Sequence, residues 1–194
     1  ARKPPVELEY QTTRGLLALN DGDVMPNYPK GVDGEPTSHA GAGKPDIECF
    51  YEDYNMVCEV TLLKTQDQWK AESISVPDHF EKFIKENKKQ KNFCLFIAPQ
   101  LHERTIRTFY TNNTWDEKVF GKTVPLTISQ FQQILDTLKK LRESEKPRGI
   151  THKEMGDFYQ RVSDSMLNFS GGKFLEWREN IQSILDEWIQ EIIA

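Results

Sequence analysis

Cysteine is scarce in this chain. There are three, Cys49, Cys58 and Cys94, with no CxxC pair among them. An odd, unpaired set excludes a disulfide framework and a structural zinc site, and all three lie in apolar, strand-like runs that predict small buried hydrophobes. Long hydrophobic runs are also missing. None approaches the roughly 20 residues that span a bilayer. No apolar segment of the signal-peptide kind follows the opening Ala-Arg-Lys-Pro-Pro, so a cytoplasmic location is the expectation. Positive charge is in deficit: 25 Lys and Arg face 30 Asp and Glu, a formal net charge of −5. A protein that grips nucleic acid alone is usually basic, because phosphate neutralisation supplies most of the affinity. Zinc-finger, helix-turn-helix, P-loop and nucleophile-elbow patterns are absent as well.

What is present is a globular composition, 37% hydrophobic and 28% charged over 194 residues, enough for one well-filled core. The spacing predicts a first helix over 6–19, started by Pro4-Pro5. Glycines and prolines then break every periodicity over 20–45, which reads as one long loop. Two short strands, 46–51 and 56–63, form an antiparallel hairpin. Residues 64–91 are polar and mostly helical, with Ser75 and Asp78 spaced as a capping box ahead of Phe80, Phe83 and Ile84. The apolar run Phe93–Ala98 reads as a buried strand, so 56–98 makes a βαβ unit. A helix over 101–109, a strand over 124–128 and a helix carrying Phe131, Ile134, Leu135, Leu138 and Leu141 follow. A soft boundary at 143–149 divides a core, 1–145, from a helical extension, 146–194. The extension holds helices at about 151–168 and 173–192, the second with Phe174, Trp177, Ile181, Leu185, Trp188 and Ile192 on one stripe, suited to the core or to a partner. The fold class is α/β, a small mixed sheet flanked by helices.

The chemistry concentrates at the hairpin. Lys44-Pro45-Asp46-Ile47-Glu48 opens one strand and Glu59-Val60-Thr61 lies in the other, with 12 residues between Asp46 and Glu59. Strand alternation puts 59 and 61 on one face, so Asp46, Glu59 and Thr61 can converge. Glu59 interrupts an otherwise apolar run, and a carboxylate in a buried strand is costly unless compensated. Two carboxylates suit Mg²⁺, which keeps several waters and can activate one against a phosphate.

Pro45-Asp46 with Glu59-Val60-Thr61-Leu62 resembles the active site of PD-(D/E)xK nucleases, and among them the type IIS restriction and nicking endonucleases of the AlwI and MlyI kind. The approach Ser38-His39-Ala40-Gly41-Ala42-Gly43 and the later Pro125-Leu126-Thr127 are similar too. The resemblance covers about 5–140 and is strongest to small cleavage subunits of heterodimeric type IIS enzymes, whose large subunit is a nicking endonuclease. It implies a restriction-endonuclease-like core with a mixed central sheet. It also implies Mg²⁺-dependent hydrolysis of one strand of double-stranded DNA, leaving 5′-phosphate and 3′-hydroxyl ends, and a larger DNA-recognising nicking subunit as partner. Asp46 and Glu59 would be metal ligands, with the Val60 carbonyl as a further one. Glu9 matches the helix-borne acid, with Glu7 as competitor. Glu72 and His79 match the extra acidic and imidazole positions, although Pro77 lies between them. The usual third motif residue, Lys, is Thr61 here, which leaves water activation to His79, Lys64 or a second metal.

Two other readings stand beside this one. A stand-alone PD-(D/E)xK repair or junction-resolving nuclease would work without a second protein. A non-catalytic assembly module would use the strand carboxylates in salt bridges. His39 and the basic run Lys85, Lys88, Lys89 and Lys91 suit either phosphate contact or a solvated surface.

Overall fold

The computed structural model describes residues 2–19, 21–89, 91–115 and 121–194. The first residue of the expected 20–45 loop and residue 90 of the expected 64–91 crossover lie outside that set. The chain opens with helix α1 (Pro4–Leu19), then strands β1 (Asp23–Pro26), β2 (Ile47–Phe50) and β3 (Asn55–Val60). Helix α2 (Thr65–Glu86), strand β4 (Asn92–Ala98), helix α3 (Glu103–Trp115) and strand β5 (Gly121–Thr127) follow. Helices α4 (Ile128–Arg142), α5 (His152–Ser165) and α6 (Phe174–Ile193) complete the chain, with a short 3-10 turn at Met166–Phe169.

One five-stranded sheet runs in the order β1-β2-β3-β4-β5. β1, β2 and β3 form an antiparallel meander, whereas β3, β4 and β5 are parallel and joined through α2 and α3. β4 is buried at every position, as expected for a central parallel strand covered on both faces. Helix α4 begins where sequence and capping chemistry agree. Thr127 accepts from the Gln130 N–H while Gln130 reaches back to Thr127, and Thr151 with Glu154 does the same for α5.

Several expectations require correction. The loop over 20–45 contains strand β1, which is only four residues long and alternates between exposed and half-buried positions. An edge strand of that kind has too little apolar contrast to register as periodicity. Ser75 and Asp78 open no helix. They lie inside α2, where the Ser75 hydroxyl donates to the Ala71 carbonyl at 2.8 Å, bonding back along the helix as mid-helix serines do. Pro77 does not break α2 either; it lacks one N–H donor while the packed face Val76, Phe80 and Phe83 holds the helix to the sheet. Strand β3 ends at Val60, three residues before the expected end.

The C-terminal helices share the hydrophobic cluster of the sheet. Trp177, Ile181, Leu185 and Trp188 are all buried, so that stripe packs the core and does not face outward. Each indole N–H is satisfied, by Val162 O at 3.1 Å and Glu154 O at 3.0 Å. Helix α5 sits tightly on the β2–β3 turn: a Cβ at Gly156 would lie 2.8 Å from the Tyr54 ring. The three cysteines are buried and unbridged. Among the described residues no helix is long and apolar enough to cross a membrane.

Candidate active site

The hairpin register brings the two strand carboxylates face to face. Ile47 pairs with Cys58, so Asp46 and Glu59 each lie one residue beyond that pair, at the same end of the sheet. Asp46 is held there from both sides. Its Oδ2 accepts the Val60 N–H at 2.8 Å, its carbonyl accepts the Asn27 N–H at 2.9 Å, and the Asn27 amide donates to Pro45 O at 2.9 Å. The sequence offered no signal for Asn27, which reaches Pro45 across 18 positions from just beyond the unforeseen strand β1.

Helix α2 supplies the next two groups. Because it runs unbroken through Pro77, Glu72 and His79 lie about two turns apart on one face. His79 Nδ1 lies 2.9 Å from Glu59 Oε1, within hydrogen-bond distance. Glu72 is hydrogen-bonded by Thr61 and, at 3.4 Å, by Ser75. From α1 comes Glu9, which is 5% exposed and accepts the Ala40 N–H at 3.0 Å. That contact fastens the Gly-rich segment over the site. Glu7 is different: it points to solvent and is held by Arg2 at 2.7 Å and Gln11 at 2.6 Å.

Five candidates thus form one electrostatic group: Asp46, Glu59, Glu72, His79 and Glu9. Burial raises the Asp46 carboxyl well above the usual range, and the charges of Glu59, Glu9 and Glu72 raise it further. Glu59 is raised well above its range by burial and then by Glu72 and Glu9, against opposing hydrogen bonds from Asp46. Glu72 and Glu9 are also raised, chiefly by burial. An enclosed group of like charges holds protons unless a cation neutralises it. Among the described residues no three His, Cys, Asp or Glu side chains form a ready-made ion cage. Mg²⁺ commonly takes only one or two carboxylates, completing its shell with water and phosphate oxygens. The Asp46–Glu59 pair fits that requirement, since both carboxyls are raised by burial and by the charges of Glu9 and Glu72, which a divalent ion would offset.

Two peripheral candidates stand apart. His39 is exposed and its Nδ1 lies 3.0 Å from the neighbouring Ala40 carbonyl. In the basic run, Lys85 pairs with Glu81 at 2.6 Å and Lys89 donates to the Tyr51 carbonyl, so two of its four charges already have partners within the chain.

Comparison with known proteins bears on the family and the fold. Residues 2–134 match the sequence profile of the AlwI restriction endonucleases. No curated protein matches. Among solved structures, the chain is similar to the small subunit of the heterodimeric restriction endonuclease R.BspD6I, with a TM-score of 0.77 and 20% identity, over 94% of this chain and 91% of that one. At that identity the likeness establishes the fold alone, which in this chain is a mixed five-stranded sheet flanked by helices.

Proposed function

The chain belongs to the AlwI restriction endonuclease family, and from that premise we propose that it hydrolyses one strand of double-stranded DNA as the cleavage subunit of a type IIS enzyme. The observation that carries this reading is the pair Asp46 and Glu59, brought opposite each other by the β2–β3 register and both held far above the usual carboxylate range. Asp46 and Glu59 would hold Mg²⁺, with the Val60 carbonyl as a further oxygen ligand. The ion supplies charge neutralisation at the scissile phosphate and a water more acidic than bulk water.

The protein's own groups do the rest. His79, within hydrogen-bond distance of Glu59 Oε1, would hold or pass a proton there as charge develops next to it. Glu72 is hydrogen-bonded by Thr61, which carries no charge and serves to orient it; the activating role of the missing lysine would fall to His79. Glu9 adds a fourth acid to the group and ties the 38–43 segment down through Ala40. We read residues 1–145 as the cleavage core and 146–194 as an extension that buttresses it.

The partner follows from charge and from what the site uses. With a net charge of −5, phosphate contacts alone give weak binding at physiological salt. A protein similar in fold is the small subunit of a heterodimeric enzyme. A larger DNA-recognising nicking subunit would therefore position the duplex and cut the other strand. The test is plasmid cleavage in Mg²⁺ by the purified chain, alone and with a larger nicking-endonuclease subunit supplied as partner. Little specific cutting alone, and double-strand cutting with the subunit that reverts to nicking in Asp46→Ala, is the expected result. Specific cutting of both strands by the chain alone would refute the heterodimer and favour a stand-alone homodimeric nuclease.

A further inference from the structure

Gln68 has no exposed surface, and its side chain uses three hydrogen-bonding positions on two different loops. Its amide nitrogen donates to Leu63 O at 3.0 Å and to Gln100 O at 2.8 Å, and its Oε1 accepts the His102 N–H at 2.9 Å. Leu63 belongs to the turn that leaves β3, and Gln100 and His102 to the turn that leaves β4. One side chain therefore staples together the exits of two neighbouring parallel strands, at the end of the sheet where the carboxylates gather.

The β3 exit needs such a staple. Thr65 has φ 55, a left-handed conformation that a β-branched residue adopts only under constraint. Lys64, at the start of α2, gives no side-chain cap. From the same turn the Leu63 N–H donates to Thr61 Oγ1 at 3.1 Å, and Thr61 is bonded to Glu72. Fixing Leu63 therefore fixes Thr61, and through it the orientation of Glu72, and it also sets the chain direction just after Val60.

We propose that Gln68 is a positioning residue of the cleavage reaction: it holds the strained 61–65 turn so that Thr61, Glu72 and the Val60 carbonyl keep their places at the site. It touches neither DNA nor metal. This inference rests on the nuclease reading, but its geometric part does not.

The test pairs amide hydrogen exchange with kinetics in Gln68→Met, which keeps length and loses every hydrogen bond, and in Gln68→Glu, which loses both amide donors and serves if the first variant fails to fold. Exchange is read at the 61–65 turn in the full chain; cleavage is read in complex with the larger subunit. The expected result is faster exchange confined to the 61–65 and 100–102 turns, with kcat down about 10- to 100-fold at nearly unchanged KM for DNA. Thr61→Ala, which cuts the same relay downstream, should show the kcat loss without the change at 100–102. Unchanged exchange at 61–65, or a loosened turn with normal kcat, would overturn the role of Gln68. A wild-type complex that does not cut overturns the nuclease reading, and with it the reaction that Gln68 would serve.

Discussion

The two ends of the β2–β3 hairpin each set a histidine against carboxylates, and they do so to opposite effect. At the start of β2, His79 meets Glu59 among Asp46, Glu72 and Glu9, and all four carboxyls are raised, burial being the first cause. At the other end, His152 lies between Asp21, 2.8 Å from Nδ1, and Asp53, 3.2 Å from Nε2. There burial raises Asp21, but the hydrogen bond and charge of His152 outweigh it and leave the carboxyl lowered. Burial alone would lower His152, and the two aspartates outweigh it, leaving the imidazole raised. The second site is balanced: each group stabilises the charge of the other, and its aspartates are about half exposed to water. The first site has four acids and one imidazole, enclosed. The difference separates a clamp, complete in itself, from an enclosed group of acids that, on the proposed function, would receive a cation.

Removing an acid should act in opposite senses at the two ends. Asp46→Ala or Glu59→Ala should abolish Mg²⁺-dependent cleavage while thermal stability stays the same or rises, because each deletion relieves repulsion. Cleavage and thermal unfolding of the same preparations decide this; an active Asp46→Ala, or one that unfolds many degrees early, would place that carboxylate in the structure rather than the chemistry. Next in size, His79→Ala and Glu72→Ala should each lower kcat about 100-fold or more, with Thr61→Ala keeping a larger fraction of activity than either. Single-turnover cleavage rates rank the three. A dead Thr61→Ala beside normal His79 and Glu72 variants would reverse the roles of these three residues.

The site was more legible in the sequence than the framework that holds it. Asp46 and Glu59 could be read because a hairpin is local: a short turn fixes the register, and a charge in the middle of Met56–Leu63 stands out against apolar neighbours. Glu72 and His79 needed the resemblance, since Pro77 argues against one continuous helix and only tertiary packing of Val76, Phe80 and Phe83 overrides it. Asn27 and Gln68 were invisible. Each works by bonding backbone groups distant in sequence, 18 positions for Asn27 and 32 and 34 for Gln68, and a lone polar residue carries no periodic trace of such contacts. The Ser75–Asp78 pair shows the converse: the right spacing for a cap occurs inside a helix whose packing leaves it nothing to cap.

A cation should distinguish the two ends without any substitution at the clamp. Raised carboxyls favour the protonated form, so their contribution to stability is present at low pH and is lost as the pH climbs through their folded values. On the proposed function, Mg²⁺ would replace those protons with a better partner. We expect Mg²⁺ at about a hundredfold excess over its dissociation constant to raise the melting temperature by about 5–10 °C at pH 8, by much less at pH 5, and not at all in Asp46→Ala. Scanning calorimetry against Mg²⁺ concentration measures it. An equal shift in Asp46→Ala would move the ion elsewhere on the molecule.

The smallest effect belongs to the clamp. His152 is 7% exposed, and its N–H and both ring nitrogens face Asp21 and Asp53, with the Tyr51 ring stacked beside it and the Tyr54 hydroxyl donating to its carbonyl. It thereby ties the start of α5 to the β2–β3 turn. Because its folded pKa lies above the ordinary 6.5, the stability it adds is complete below that pH and fades as the pH rises through the folded value. Asp21 works the other way: with its pKa below the ordinary 3.8, its share is complete above that pH and fades as the pH falls. Both shares are therefore present together from about pH 4 to about pH 6.5. His152→Gln, which can hydrogen-bond but not charge, should cost about 1–2 kcal/mol in that window, held low by solvent around the half-exposed aspartates. The loss should shrink above neutrality, with kcat for cleavage unchanged throughout. Urea unfolding at pH 5.5 and pH 8.5 reads the difference. A loss equal at both pH values would mean that His152 contributes by packing and hydrogen bonding alone, and a fall in kcat would mean that the two ends of the hairpin are coupled.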